Sequence, residues 1–145
     1  SWKIRWQWWP ELDDKPRDPA IRVTAMPADA NAYGDIFGGW LMSLMDSAAG
    51  LVAARHARGR AVTIAMDGMQ FYAPVKVGDE VSVYADLTHV GTSSMKIDVE
   101  AWRRHRHADR HVKVTEAQFT FVAVDDEGRP RPIAQEPISQ EDVTA

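Results

Sequence analysis

Between residues 94 and 104 the side chains alternate, with Met95, Ile97, Val99 and Ala101 interleaved with Lys96, Asp98, Glu100 and Trp102. A two-residue period of this kind predicts a strand with one packed face and one wet face. Strand character also runs over residues 21–26, where Pro27 stops it, and over 61–71, 80–90 and 112–124. A different period governs residues 39–58. There Leu41, Leu44, Met45, Ala48, Leu51 and Val52 recur at three- and four-residue spacing, which predicts a helix. Arg55, His56 and Arg58 suit the negative end of its dipole, and Gly59 is placed to end it. Asp46 is the sole charge in the first four turns, and Ser47-Ala48-Ala49-Gly50 stands at the centre. Such a helix is expected to be buried, with small residues where a sheet approaches closely. Residues 28–39 are rich in Asp, Asn and Gly and read as irregular.

The predicted order is therefore strand, long buried helix, four strands. Short turn signals separate the strands, at Pro74 with Gly78-Asp79, at Gly91-Thr92-Ser93 and near Ala108-Asp109, so the pairing is expected to be antiparallel. Five such strands curled around one apolar helix form an α+β domain with the layout of the hotdog fold. The chain divides into an N-terminal arm, residues 1–20, this domain, residues 21–128, and a polar, proline-containing tail, residues 129–145, expected to be loose. The arm holds Trp2, Trp6, Trp8 and Trp9, which are expected to dock on their own subunit or on a neighbour, since exposed indoles are costly.

Composition narrows the functional classes. At 145 residues and 45% hydrophobic content, the chain suits one core. The absence of cysteine excludes disulfides, thiolate metal sites and a thiol nucleophile, and fits a reducing compartment. A net charge of -4 argues against a nucleic-acid partner, although Arg103-Arg104-His105-Arg106-His107 forms a local basic run. No apolar run of about 18 residues suggests a membrane span, so a cytoplasmic protein without a membrane partner is expected. His105, His107 and His111 lack the further ligands that a metal site requires, and no metal is expected.

Residues 26–46, MPADANAYGDIFGGWLMSLMD, resemble the signature of the YciA-type acyl-CoA thioesterases and of the related cytosolic acyl-CoA hydrolases. The likeness continues through Val62-Thr63, Met69-Gln70-Phe71, Pro74-Val75, Gly91-Thr92-Ser93-Ser94 and Thr115-Glu116-Ala117, spanning residues 21–132. Ala30 stands where the pattern has Thr, and the tryptophan arm lies outside it. The resemblance implies hydrolysis of an acyl-CoA to free CoA and a carboxylic acid, with no cofactor beyond the CoA thioester substrate. It makes Asp46 the catalytic carboxylate, as general base on water or as nucleophile, with the base preferred. It assigns Asn31 to orienting water or the thioester carbonyl, and Gly38-Gly39 of a partner subunit to polarising that carbonyl. It further implies a dimer, with a trimer of dimers as the larger assembly, and CoA contacts from Phe37, Thr63, Arg60, Gly91, Thr92, Ser93 and Ser94.

The residues themselves point the same way. Thioester hydrolysis needs donors aimed at the carbonyl oxygen and a base for water. Gly38 and Gly39 precede the helix and offer unobstructed N–H groups at the positive end of its dipole, though a packing turn would use the same residues. Asp46 has Met42, Ser43, Ala49 and Gly50 as helical neighbours and no cation, which favours a base over a structural carboxylate if it is buried. Asn31 taken alone reads as a turn former, and Asp35 as serving the same turn through nearby N–H groups. Gly91-Thr92-Ser93-Ser94 can offer amides and hydroxyls to CoA or be an ordinary hairpin turn. Arg60, Lys76 and the run Arg103 to Arg106 are candidate phosphate partners. Two rivals remain: a non-catalytic acyl-CoA sensor, and a hydratase or dehydratase, which would want a histidine near the helix start.

Overall fold

The computed structural model describes residues 17–134. Five strands form one antiparallel sheet: β1 (Ile21–Thr24), β2 (Ala61–Phe71), β3 (Glu80–Val90), β4 (Ser94–Arg104) and β5 (His111–Ala123). Their order across the sheet is β1-β3-β4-β5-β2. One helix, α1 (Gly38–Ala57), lies between β1 and β2 in sequence and packs against β2, β3, β4 and β5. The expected α+β hotdog architecture is thus present.

The alternation in β4 is realised as predicted. Met95, Ile97, Val99 and Ala101 are fully buried beneath α1, whereas Lys96 and Asp98 are exposed. Facing them, α1 buries Leu41, Met45, Ala48, Ala49, Ala53 and Ala57. Four of these are alanines at its centre and end, which let the helix axis approach the sheet; at Gly50 an added Cβ would already touch the Phe121 ring at 3.7 Å. The opposite stripe, including Ser43, Ser47 and Leu51, is exposed in the single chain.

Both helix ends differ in detail from expectation. The left-handed residue that closes α1 is Arg58, at φ 53°, one position before Gly59. Gly59 instead leaves room for the Arg131 guanidinium, which lies 2.7 Å from where a Cβ at 59 would be and donates to the Ala57 carbonyl at 2.7 Å. Through that bond, and through Ile133, whose N–H donates to Thr92 O and whose side chain is buried, residues 129–133 stay attached to the domain. The loose tail expected from Arg129 therefore does not begin there. Most of the tryptophan arm lies outside the described residues. Of its last residues, Arg17 reaches the outer sheet face, where its guanidinium stacks 4.3 Å from the Tyr84 ring and pairs with Asp86 and Glu100.

Among the described residues, the strand β2 has a partner on one side only. It pairs with β5, and its other edge is open along 11 residues interrupted by two register shifts. Val62, Ile64, Met66 and Phe71 remain exposed on it. An open, apolar edge of this length is a template for pairing with another chain.

Candidate active site

At the start of α1 the chain makes a compact loop. Asn31 N–H donates to Asp35 O at 2.7 Å, and the Asn31 Oδ1 accepts from the N–H groups of Tyr33 and Asp35 at 2.9 and 3.1 Å. Gly34, at φ 81°, supplies the left-handed step that closes this loop. The carbonyl of the Asn31 carboxamide is therefore engaged by its own turn, which orients the side chain and leaves its NH2 group as the donor it can offer a ligand. Asp35 does not serve the turn through N–H groups as expected. Those donors already have Asn31, and the Asp35 carboxylate instead pairs with the Lys76 ammonium across a short bridge between the two backbones.

Phe37 follows as N-cap, with extended backbone and no side-chain cap. Gly38 and Gly39 then open the helix, ahead of the first turn bonds, which Trp40 and Leu41 make to the Phe37 carbonyl. Their N–H groups stand at the positive end of a 20-residue helix, a place suited to developing negative charge on an oxygen. A Cβ on Gly38 would lie 3.1 Å from the Phe71 ring, whereas one on Gly39 would meet nothing within 4 Å. Beside them opens a cleft of about 460 Å³, walled by Ile36, Gly38, Leu41, Phe71, Tyr72 and Val75. The Tyr72 hydroxyl donates to Glu116 at 2.9 Å, and this bond to a carboxylate raises its pKa above the usual phenol value. Glu116 is in turn held below the usual carboxylate range, first by the Lys113 ammonium and then by Tyr72.

A second group of predicted residues gathers towards the other end of α1. Asp46, half-buried, accepts from the Thr63 hydroxyl at 2.5 Å. Thr63 is the third residue of β2, so this bond ties mid-helix to the beginning of the open edge strand. Arg60 is exposed in the turn between α1 and β2, and its carbonyl accepts from Val124 N–H at 3.0 Å. The turn from Gly91 to Ser94 lies at the same end: Ser93 O accepts from Ala123 N–H and Thr92 O from Ile133 N–H, both at 2.8 Å.

Within one chain, then, the predicted residues fall into two groups. Asn31, Phe37, Gly38 and Gly39 lie where α1 starts and β2 finishes; Asp46, Thr63, Arg60 and Gly91 to Ser94 lie towards the opposite end. Gly38 and Asp46 are eight residues apart on one helix, about 12 Å along its axis at 1.5 Å per residue. Other candidate cations already have partners: Lys76 has Asp35, the Arg103 Nε donates to Pro74 O at 2.9 Å, and Arg104 pairs with Glu80. His105 sits 2.7 Å from Asp79. Among the described residues no three His, Cys, Asp or Glu side chains are grouped to hold a metal ion. Sequence reasoning missed the cleft and its walls Phe71 and Tyr72; the available signal was a pair of adjacent aromatics ending a strand just before Pro74.

Residues 33–109 match the Thioesterase superfamily. The acyl-CoA thioester hydrolase YciA of Escherichia coli K12 is 48% identical over 122 residues, covering 82% of this chain and 92% of that one. Among solved structures, the hexameric thioesterase y2039 of Yersinia pestis superposes with TM-score 0.80 at 47% identity, covering 84% of this chain and all of that one. An acyl-CoA hydrolase of Staphylococcus aureus, solved as an asparagine-to-alanine variant with coenzyme A, has TM-score 0.75 at 30% identity over 86% of this chain and 75% of its own. It has also been solved as an aspartate-to-alanine variant. The agreement of sequence and overall fold leaves one assignment: this chain belongs to the thioesterase superfamily, within the hotdog-fold acyl-CoA thioester hydrolases of the YciA type.

Proposed function

We propose that the protein hydrolyses acyl-CoA thioesters at sites shared between two copies of the chain, with Asp46 of one copy acting on a water against a carbonyl held by the other. The observation that carries this reading is the separation of the two groups of residues in a chain whose edge strand is open. Pairing two β2 edges antiparallel about a two-fold axis would bring the helix start of one copy towards Asp46 and Thr63 of the other, twice over. It would also cover Val62, Ile64 and Met66, which are otherwise exposed. A dimer of this kind can be the unit of a larger assembly such as the hexamer of the Yersinia pestis relative.

In the proposed step, Asp46 takes a proton from water as the water oxygen attacks the thioester carbon. The oxygen of the tetrahedral intermediate is stabilised by the N–H groups of Gly38 and Gly39 and by the Asn31 NH2 group of the other copy. The C–S bond then breaks, CoA leaves as thiol after taking up a proton, and the carboxylic acid remains. Thr63 orients the carboxylate through its hydroxyl. Phe37, Arg60 and the turn from Gly91 to Ser94 line the route we assign to CoA, with Arg60 exposed for a phosphate.

Support for the choice of Asn31 and Asp46 comes from the Staphylococcus aureus hydrolase. The two positions replaced there, an asparagine and an aspartate, have the same separation along the chain as Asn31 and Asp46. The test is thiol release from a panel of acyl-CoAs by the wild type and by Asp46→Asn. Release by the wild type with loss in the variant supports the reading; no release from any acyl-CoA, or full activity in the variant, overturns it.

A further inference from the structure

The cleft beside the helix start has no assigned occupant. Its walls are apolar side chains from three segments: Ile36 before the helix, Leu41 on its first turn, and Phe71, Tyr72 and Val75 from the end of β2 and the loop after it. Among the described residues no charged side chain lines it. At about 460 Å³ it falls in the range of roughly 300–1,000 Å³ typical of small-molecule sites. Gly38, whose N–H is a candidate donor to the thioester carbonyl, is itself one of its walls, so the cleft begins where the reacting carbon would sit. A chain running from that carbon into the cleft would be aliphatic.

The walls are fixed differently. Leu41 and Val75 are buried in the core, and Tyr72 is tied through its hydroxyl to Glu116, which Lys113 holds from the sheet side. Phe71 is 49% exposed, and no hydrogen bond can hold its ring. That ring rests on Gly38, close enough that even a methyl group there would press on it at 3.1 Å. Phe71, the last residue of the open edge strand, is thus the large wall directly next to the donor.

We propose that this cleft takes the acyl chain of the substrate and that Phe71 sets the chain length the enzyme accepts. The proposal rests on the thioesterase reading above and goes further by naming the residue that discriminates among its substrates. Each methylene that the cleft can bury in the transition state raises kcat/KM by about fourfold, the ratio equivalent to about 0.8 kcal/mol; the gain stops where the wall is reached.

The test is a series of saturated acyl-CoAs from acetyl to palmitoyl, with kcat/KM measured for the wild type and for Phe71→Ala, Phe71→Leu and Phe71→Trp, alongside each variant's mass by sedimentation. The expected result is a graded shift, with the preferred chain longest for Ala, intermediate for Leu and shortest for Trp. The ratio of long-chain to short-chain kcat/KM should change at least about tenfold between Ala and Trp, as two buried methylenes imply. If Phe71→Ala does not fold, the order of Leu, wild type and Trp still decides the question. Variants that hydrolyse every chain with the wild-type profile overturn the inference and leave the thioesterase reading intact. So does a uniform fall in activity with loss of the assembly, which would make Phe71 a contact between copies. A wild type that releases no CoA from any member of the series overturns the thioesterase reading itself.

Discussion

The start of the central helix and its middle, towards the other end of the site, are built from different kinds of parts. At its start the chain offers donors: backbone N–H groups of Gly38 and Gly39, and a carboxamide whose orientation is set by two bonds from its own loop. Eight residues on, it offers an acceptor, Asp46, steadied by a hydroxyl from the open edge strand. In the proposed step the donors meet the substrate's oxygen as it becomes negative, whereas the carboxylate takes a proton from water. On one helix about 12 Å separates them, too far for either to reach the other's reacting atom. Under the shared-site proposal, the comparison teaches that a fold can carry a complete set of catalytic parts and still need a second copy to assemble a site. The open strand β2, which runs between the two ends, is the surface on which that copy is expected.

The largest effect expected from breaking this arrangement is at the acceptor. Asp46→Asn should lower kcat by about 10²–10⁴-fold, the range for loss of a positioned general base, with the melting temperature close to wild type. Next comes the edge. Ile64 is 59% exposed in the single chain, so Ile64→Lys should leave the monomer folded while opposing strand pairing. Sedimentation should report monomers, and activity should fall to a few per cent or less, since neither half-site then has its complement. A folded, active Ile64→Lys monomer would break the comparison at its root.

At the donor end, Asn31→Ala removes the acceptor of two turn bonds as well as the proposed donor. We expect about 1–2 kcal/mol of lost stability by thermal unfolding and a fall in kcat of about tenfold or more. Thr63→Val should act on the acceptor end alone, lowering kcat/KM by about tenfold through one lost bond to a charged group. The smallest expected effect on activity is at Glu100, on the outer sheet face. Burial alone would raise its pKa, but hydrogen bonds from Trp102 and Arg17, with the Lys113 charge, outweigh that and hold it below the usual carboxylate value. A depressed folded-state pKa contributes stability above the unfolded value, near 4.5, and loses it as the pH falls through the folded value. Glu100→Gln should therefore cost about 1–2 kcal/mol at neutral pH, cost progressively less at acid pH, and leave thioester hydrolysis as it was.

Much of this fold is written in local patterns. β2, β3 and β4 begin and end where strand character and turn residues put them: β3 and β4 bury side chains in the core, and all three end at turns. The boundaries that moved did so for tertiary reasons. Arg58, not Gly59, takes the left-handed position, while the Arg131 guanidinium, from far along the chain, fills the space beside Gly59 and bonds the Ala57 carbonyl. Residues 129–133 belong to the domain because Ile133 has a buried seat, which a polar, proline-containing stretch does not advertise. Asp35 and Lys76 meet across forty-one residues, and no local rule pairs them. The candidate site was legible as residue types, a glycine pair before a helix and a lone carboxylate within it. Their division between two ends was not, since it depends on where a helix returns along a sheet. The cleft walled by Phe71 and Tyr72 escaped for the same reason: its walls come from segments some thirty residues apart.

The shared site is tested most directly by mixing two broken enzymes. Asp46→Asn and Asn31→Ala chains, each of low activity alone, are unfolded together in equal amounts, refolded, and assayed for thiol release from an acyl-CoA. If the site is shared, half of the mixed dimers' sites carry neither substitution, and random pairing restores about a quarter of wild-type activity. If both residues act within one chain, every site in every mixture carries a substitution, and activity stays at the average of the two parents, which would contradict the account.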